Sequence, residues 1–207
     1  DIDQRLTIIL EIMSVVEYLH VNGFMYRDLK SNNIIIDCNQ KAKLIDFDQI
    51  KEYEKIQQTG DVGNDVFASP EQLSSNYYSF KTDIYSLGKI ISFIFSDCEK
   101  SESDWEFYNK GKLCLENSPE LRPTIGNLLT NAFFYYLNEK NQQLYFKEIF
   151  EVRKKLFDFS IKSKIDKDKI YDLYTFIGIC YTDGDFISQD VDKAIESTTL
   201  RRKMRSR

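Results

Sequence analysis

The chain has 207 residues, enough for one domain or one and a half, and its 42% hydrophobic and 29% charged side chains set it apart from disordered polymers. A formal net charge of -5 supplies no basic field, which argues against nucleic acid as a partner. Cysteines at 38, 98, 114 and 180 form no C-x-x-C pair; they fit neither a zinc site nor a dense disulfide framework, so a reducing, intracellular and cytoplasmic setting is expected. No apolar run reaches the roughly 20 residues that a membrane span needs. The sequence opens at Asp1 inside a helix-like pattern with no secretory signal, and so reads as a piece of a longer chain.

In chain order, Ile8, Ile9, Ile12, Met13, Val15, Val16 and Leu19 recur at three- and four-residue steps and predict an amphipathic helix. Asn22-Gly23 supplies its stop. Two β-prone runs, Asn33–Asp37 and Ala42–Phe47, separated by Cys38-Asn39-Gln40-Lys41, predict a hairpin. Residues 49–68 are polar and irregular, with Gly60 and Gly63, and read as a long loop, of a length that is usually functional or mobile. From about Lys81 the pattern is helical again, with Ile84, Leu87, Ile90, Ile91 and Ile94 on one face. Further helical segments are expected near 102–115, 123–137 and 142–160, with a polar joint at Asn138–Gln143 and a basic, solvated tail at 201–207.

The chemistry concentrates between Tyr26 and Asp48. Asp28 can accept or orient a hydroxyl proton, and Lys30, two residues on, can reach the same site and meet a phosphate. Asn33 and Asp46 offer the hard oxygens that Mg²⁺ prefers, from the two ends of the predicted hairpin. Phosphoryl transfer asks for such parts: a positioned nucleophile, cations on the phosphates and little covalent help.

Tyr26-Arg27-Asp28-Leu29-Lys30-Ser31-Asn32-Asn33 resembles the H-R-D-L-K-x-x-N catalytic loop of eukaryotic protein kinases, and Asp46-Phe47-Asp48 resembles their D-F-G. Ala68-Ser69-Pro70-Glu71, Asp83-Ile84-Tyr85-Ser86-Leu87-Gly88 and Leu121-Arg122-Pro123-Thr124 are similar to the A-P-E, D-x-x-S-x-G and R-P-T motifs of the kinase C-lobe, in the same order. The resemblance covers roughly residues 3 to 135 and implies a serine/threonine protein kinase that uses ATP and Mg²⁺ to phosphorylate protein substrates. It implies Asp28 as catalytic base, Lys30 at the γ-phosphate, Asn33 and Asp46 at the magnesium ions, and Ile35 beneath the adenine. Phe47 is expected to pack in a hydrophobic spine with Tyr26. Asp83 is expected to accept hydrogen bonds from the catalytic-loop backbone, and Glu71 to pair with Arg122 in a buried bridge. Arg27 either holds the loop together or receives an activation-loop phosphate, for which Thr59 is the candidate acceptor, unless it is a plain solvated threonine. His20, in the family's Leu-His pair, is expected to pack.

Three positions depart from the pattern: Tyr26 stands for histidine, Asp48 for the glycine of D-F-G, and Asn64 for a threonine expected to bond Asp28 and Lys30. Gly reaches backbone angles that Asp reaches only at a cost, and Asp48 adds a second carboxylate beside Asp46. No G-x-G-x-x-G loop occurs in these residues, so the N-lobe that covers ATP is expected to lie elsewhere and the chain alone to be inactive. Farther on, Gly178-Ile179-Cys180-Tyr181-Thr182-Asp183-Gly184 and Ile187–Ala194 resemble one Sel-one-like repeat, cousin of the tetratricopeptide repeats, fading at Thr198 and Thr199. The expected architecture is therefore mainly α: a protein-kinase-like C-lobe with a small β-hairpin over 1–137, a helical connector over 138–165, and an incomplete repeat over 166–207 that binds a protein partner. The alternative is a pseudokinase or scaffold, in which lobe and repeat serve as a binding surface.

Overall fold

The computed structural model describes residues 2–53, 66–75, 78–96, 108–140, 143–163, 165 and 170–183. Contacts divide the chain into two compact units, Asp1–Ala132 and Phe133–Arg207. The described residues are mostly helical, with two two-stranded sheets.

The first unit is built on α1 (Ile2–Val21), which buries Leu6, Ile9, Leu10, Ile12, Met13, Val16 and Leu19. Its end lies where Asn22-Gly23 predicts it: Gly23 takes φ 82, which costs glycine no Cβ clash, and its N–H bonds His20 O at 3.0 Å. Four short strands follow: β1 (Phe24–Met25), β2 (Ile34–Ile36), β3 (Ala42–Leu44) and β4 (Lys51–Glu52). The expected hairpin is β2–β3, with Ile34 opposite Leu44 and Ile36 opposite Ala42. Asp37 closes its turn by accepting the N–H groups of Asn39 and Lys41 on Oδ1, at 2.8 and 3.0 Å. Glu11 fastens the hairpin to α1 by accepting Ala42 N–H at 2.6 Å.

Part of the predicted long loop is a strand. β4 pairs antiparallel with β1, Phe24 opposite Glu52 and Met25 opposite Lys51. Two charged residues carry no alternation of their own, so the pairing is set by the partner strand and escapes a sequence pattern. Residues 54–65, with Thr59, Gly60, Gly63 and Asn64, lie outside the described residues.

α2 (Pro70–Ser75) precedes α3 (Phe80–Ile94). A capping box starts α3: Ser79 Oγ accepts Lys81 N–H at 3.2 Å and Thr82 Oγ1 accepts Ser79 N–H at 3.0 Å. The helix buries Ile84, Leu87, Ile90 and Ile91, the face read from the sequence. A helical turn at 108–112 runs into a 3-10 turn, Leu113–Leu115, that packs on α3 where Gly88 leaves room. A Cβ at Gly88 would lie 2.7 Å from Cys114 Cβ.

The division into units falls within α4 (Ile125–Lys140), upstream of the expected joint at Asn138–Gln143. In the second unit α5 (Gln143–Lys162) packs with α6 (Tyr171–Asp183). Phe150 and Phe176 meet at 6.3 Å between ring centroids, and the buried guanidinium of Arg153 sits 4.0 Å from the Phe176 centroid. Ile177, Gly178, Tyr181 and Asp183 of the repeat-like motif lie on α6; Gly184 to Ala194 and the basic tail lie outside the described residues.

Candidate active site

The segment from Tyr26 to Asn33 leaves β1 and must turn through the interior to enter β2. Asp83, on the first turn of α3, holds its start. Oδ2 accepts Tyr26 N–H at 2.9 Å and Oδ1 accepts Arg27 N–H at 2.8 Å. His20 Nε2 lies 2.8 Å from the same Oδ2, and both side chains are buried. Backbone N–H bonds to a carboxylate are charge-assisted and strong, so this clamp fixes the loop more firmly than ordinary turn bonds. It also offsets a cost, since Arg27 takes φ 73, in the left-handed region that a residue with a Cβ avoids. The buried Arg27 guanidinium lies 4.3 Å from the Tyr78 ring centroid.

Beyond the clamp, Asp28, Lys30 and Asn33 converge. Lys30 Nζ donates to Asp28 Oδ2 at 2.6 Å, and Asn33 Nδ2 donates to the same oxygen at 3.0 Å and to the Asp28 carbonyl at 2.9 Å. Among the described residues Asp28 Oδ1 accepts no hydrogen bond, so one carboxylate oxygen is held while the other stays available. The 3-10 turn Ser31–Asn33 places Asn33 at the mouth of β2, with its side chain buried.

The hairpin brings Asp46 to the same end. Ile45 N–H bonds Asn33 O at 2.9 Å, one step past the Ile34–Leu44 pair, so Asn33 and Asp46 flank the last rung. Asp46 takes φ 63 and is exposed, with Oδ1 3.5 Å from Asp48 N. Tyr26 donates its hydroxyl to Ile45 O and sets its ring edge-on to Phe47, at 5.8 Å and 87°. Burial first, then the negative charge of Asp28, pushes the Tyr26 hydroxyl well above its ordinary pKa, so it remains a donor throughout the accessible pH range. Phe47 is 49% exposed and Ile35 45%, so both offer apolar surface at the hairpin and neither is enclosed by the described residues.

Glu71 and Arg122 lie apart from this cluster and meet face to face. Arg122 Nη1 and Nη2 bond Glu71 Oε1 and Oε2 at 2.7 and 2.8 Å, a bidentate pair. The other guanidinium donors reach Lys81 O, Asn117 O and Glu116 O at 2.9, 3.1 and 2.7 Å. Burial works to raise the Glu71 carboxyl, but the Arg122 hydrogen bonds and smaller contributions outweigh it and hold it below its ordinary value. Lys81 Nζ donates to Arg122 O, closing the knot around the start of α3.

A comparison with protein families finds that the protein kinase domain matches residues 2–110, more than half of the chain. The chain belongs to the protein kinase family. Bovine (Bos taurus) eukaryotic translation initiation factor 2-alpha kinase 3 is 40% identical over 100 residues, 42% of this chain and 9% of that protein. A probable serine/threonine-protein kinase of Dictyostelium discoideum, mkcF, is 29% identical over 154 residues, 64% of this chain and 23% of its own. Calcium/calmodulin-regulated receptor-like kinase 2 of Arabidopsis thaliana is 33% identical over 131 residues, 60% of this chain and 30% of its own. The chain thus spans less than a third of the length of these relatives.

Within this kinase domain the structure brings Asp28, Lys30 and Asn33 together, with Asp46 across the hairpin end, and it sets Asp83 beneath them. Thr59 and Asn64 lie outside the described residues. Sequence reasoning missed the contact of His20 with Asp83, because a histidine on a buried helix face looks like packing until its partner, 63 residues away, is known. It also missed Gln72, whose Oε1 accepts Ser69 N–H at 2.8 Å and caps the turn before α2.

Proposed function

We propose that the chain carries the catalytic half of a serine/threonine protein kinase, which moves the γ-phosphoryl group of Mg-ATP to protein hydroxyls. The observation that carries this reading is the Asp28 carboxylate: one oxygen is held by Lys30 and Asn33 while the other accepts no hydrogen bond among the described residues. A carboxylate so fixed can orient a substrate hydroxyl and take its proton, while Lys30 stays within reach of the transferred phosphate. Asn33 and Asp46 fit a magnesium ion by donor type, one neutral oxygen and one exposed carboxylate at the same hairpin end. Among the described residues no group of three or more His, Cys, Asp or Glu side chains could hold a metal alone. Mg²⁺ held by two protein ligands keeps places for substrate phosphates, which complete its shell. Bound there, the ion neutralises phosphate charge; the chain's part is to fix its ligands, orient the hydroxyl and accept the proton. Ile35 gives an apolar seat for the adenine. Lys30 in the loop and the likeness to a probable serine/threonine-protein kinase support serine and threonine as acceptors.

The test is transfer of labelled phosphate from ATP to casein by the whole gene product. Asp28→Ala should lower transfer by at least about a hundredfold, the scale of a general base, with circular dichroism unchanged. Asp46→Asn should lower it comparably. These 207 residues on their own should transfer nothing. Serine or threonine labelling that survives Asp28→Ala overturns the reading, as does an unlabelled acceptor with the intact protein.

A further inference from the structure

Tyr53 follows β4 immediately, and rings hold it. Its N–H bonds Gly23 O at 2.9 Å, and its side chain stacks on Phe80 at 4.9 Å between centroids, with 26° between planes. Phe80, the first residue of α3, in turn meets the His20 imidazole at 4.8 Å and 49°. His20 Nε2 lies 2.8 Å from Asp83 Oδ2, the oxygen that accepts Tyr26 N–H. Three rings from three separate segments therefore form one line, and the line ends on the carboxylate that clamps the catalytic loop. Tyr53 is 41% exposed, so its stack contributes little as core burial; what it supplies is position.

The physical link is orientational. The χ2 torsion of a histidine is broad, and an imidazole keeps a nitrogen on one carboxylate oxygen only if something restricts its swing. Phe80 does this for His20, and Tyr53, stacked on Phe80, restricts Phe80 in turn. Asp83 Oδ2 is shared between imidazole and Tyr26 N–H, so a displaced ring changes how well that oxygen serves the backbone. We infer that Tyr53 is a positioning residue: through Phe80 and His20 it steadies the Asp83 clamp, and so couples the end of β4 to the order of Tyr26–Asp28. The regulatory weight of this coupling rests on the kinase reading above; the coupling itself does not.

The chain has a single histidine, so one imidazole Hε1 signal in its ¹H–¹³C spectrum reports on His20 without assignment by mutation. In Tyr53→Leu, which keeps the backbone N–H and an apolar side chain, that signal should move. The Tyr26 and Arg27 amides should exchange about twofold to tenfold faster, the factor that an aromatic pair's contribution allows. Tyr53→Phe keeps the ring and should keep both readouts at wild-type values. Amides of Ile90 and Ile91, deep in α3, are the reference and should not change. The inference is overturned by a His20 signal that stays still in Tyr53→Leu, or by one that moves while the loop amides keep their rates. It is equally overturned if Tyr53→Phe behaves like Tyr53→Leu or if the α3 reference accelerates in step. None of these readouts involves nucleotide, so failed phosphate transfer and a failed coupling are distinct results.

Discussion

Replacing Arg122 by alanine removes a group whose side chain is 0% exposed and whose five hydrogen bonds reach Glu71 twice and the carbonyls of Lys81, Glu116 and Asn117. Glu71, whose side chain is 10% exposed, is left as a largely buried charge without its bidentate partner. Breaking a buried pair by deleting one member costs about 3–5 kcal/mol, which is the expected loss here. At about 2 kcal/mol per molar urea, that corresponds to a fall of about 1.5–2.5 M in the unfolding midpoint. The assay should follow methyl signals of Ile84 and Leu87 in α3, so that unfolding of the first unit is read by itself. The sign with pH is also fixed. Glu71 titrates below its ordinary value in the folded protein, so its contribution is present above the unfolded pKa and lost as pH falls through the folded one. The stranded carboxylate of Arg122→Ala becomes neutral in acid, so the gap between variant and wild type should narrow below about pH 4. A loss under about 1 kcal/mol at neutral pH, the scale of an exposed pair, refutes the buried-bridge account.

Asp83→Ala should cost about 3 kcal/mol or more in the same urea assay, since two backbone N–H groups and an imidazole lose a charged acceptor, and the Tyr26 and Arg27 amides should lose most of their exchange protection. Gly88→Ala should destabilise by about 1–3 kcal/mol, because the new methyl would sit 2.7 Å from Cys114 Cβ and 2.9 Å from Leu115 Cδ2; a neutral effect on thermal unfolding would mean that the 3-10 turn is free to retreat. Burial pushes the Cys114 thiol up to about 12, so at pH 8 it should resist a thiol reagent that labels exposed Cys38, as peptide mapping by mass spectrometry would show, and become reactive on unfolding.

What could be read from the sequence follows the range of the interaction. α1 and α3 are legible because their apolar spacing is local, and the β2–β3 hairpin because its turn residues lie between its strands. The Asp28–Lys30–Asn33 cluster is legible because its members sit within six positions of one another. β4 is not, because Lys51-Glu52 has no pattern and borrows its register from β1. Nor is the stack of Tyr53, Phe80 and His20, since each ring alone is an ordinary aromatic residue on its own segment. Asp83 and the Glu71–Arg122 pair were reached only through resemblance to a family; composition and periodicity carry no sign of bonds across such separations.

Those separations bear on the order of folding. The clamp joins residues 56 to 63 positions apart, and the Arg122 bridge joins residues 51 apart. Each requires a large loop to close before any bond rewards it. The helices can form early and locally, whereas the Tyr26–Asn33 segment cannot take its shape until α3 has docked beside it. The ordered loop is then a late arrival on the folding path: a chain stalled short of that docking would have helices but no carboxylate to clamp the Tyr26 and Arg27 backbone.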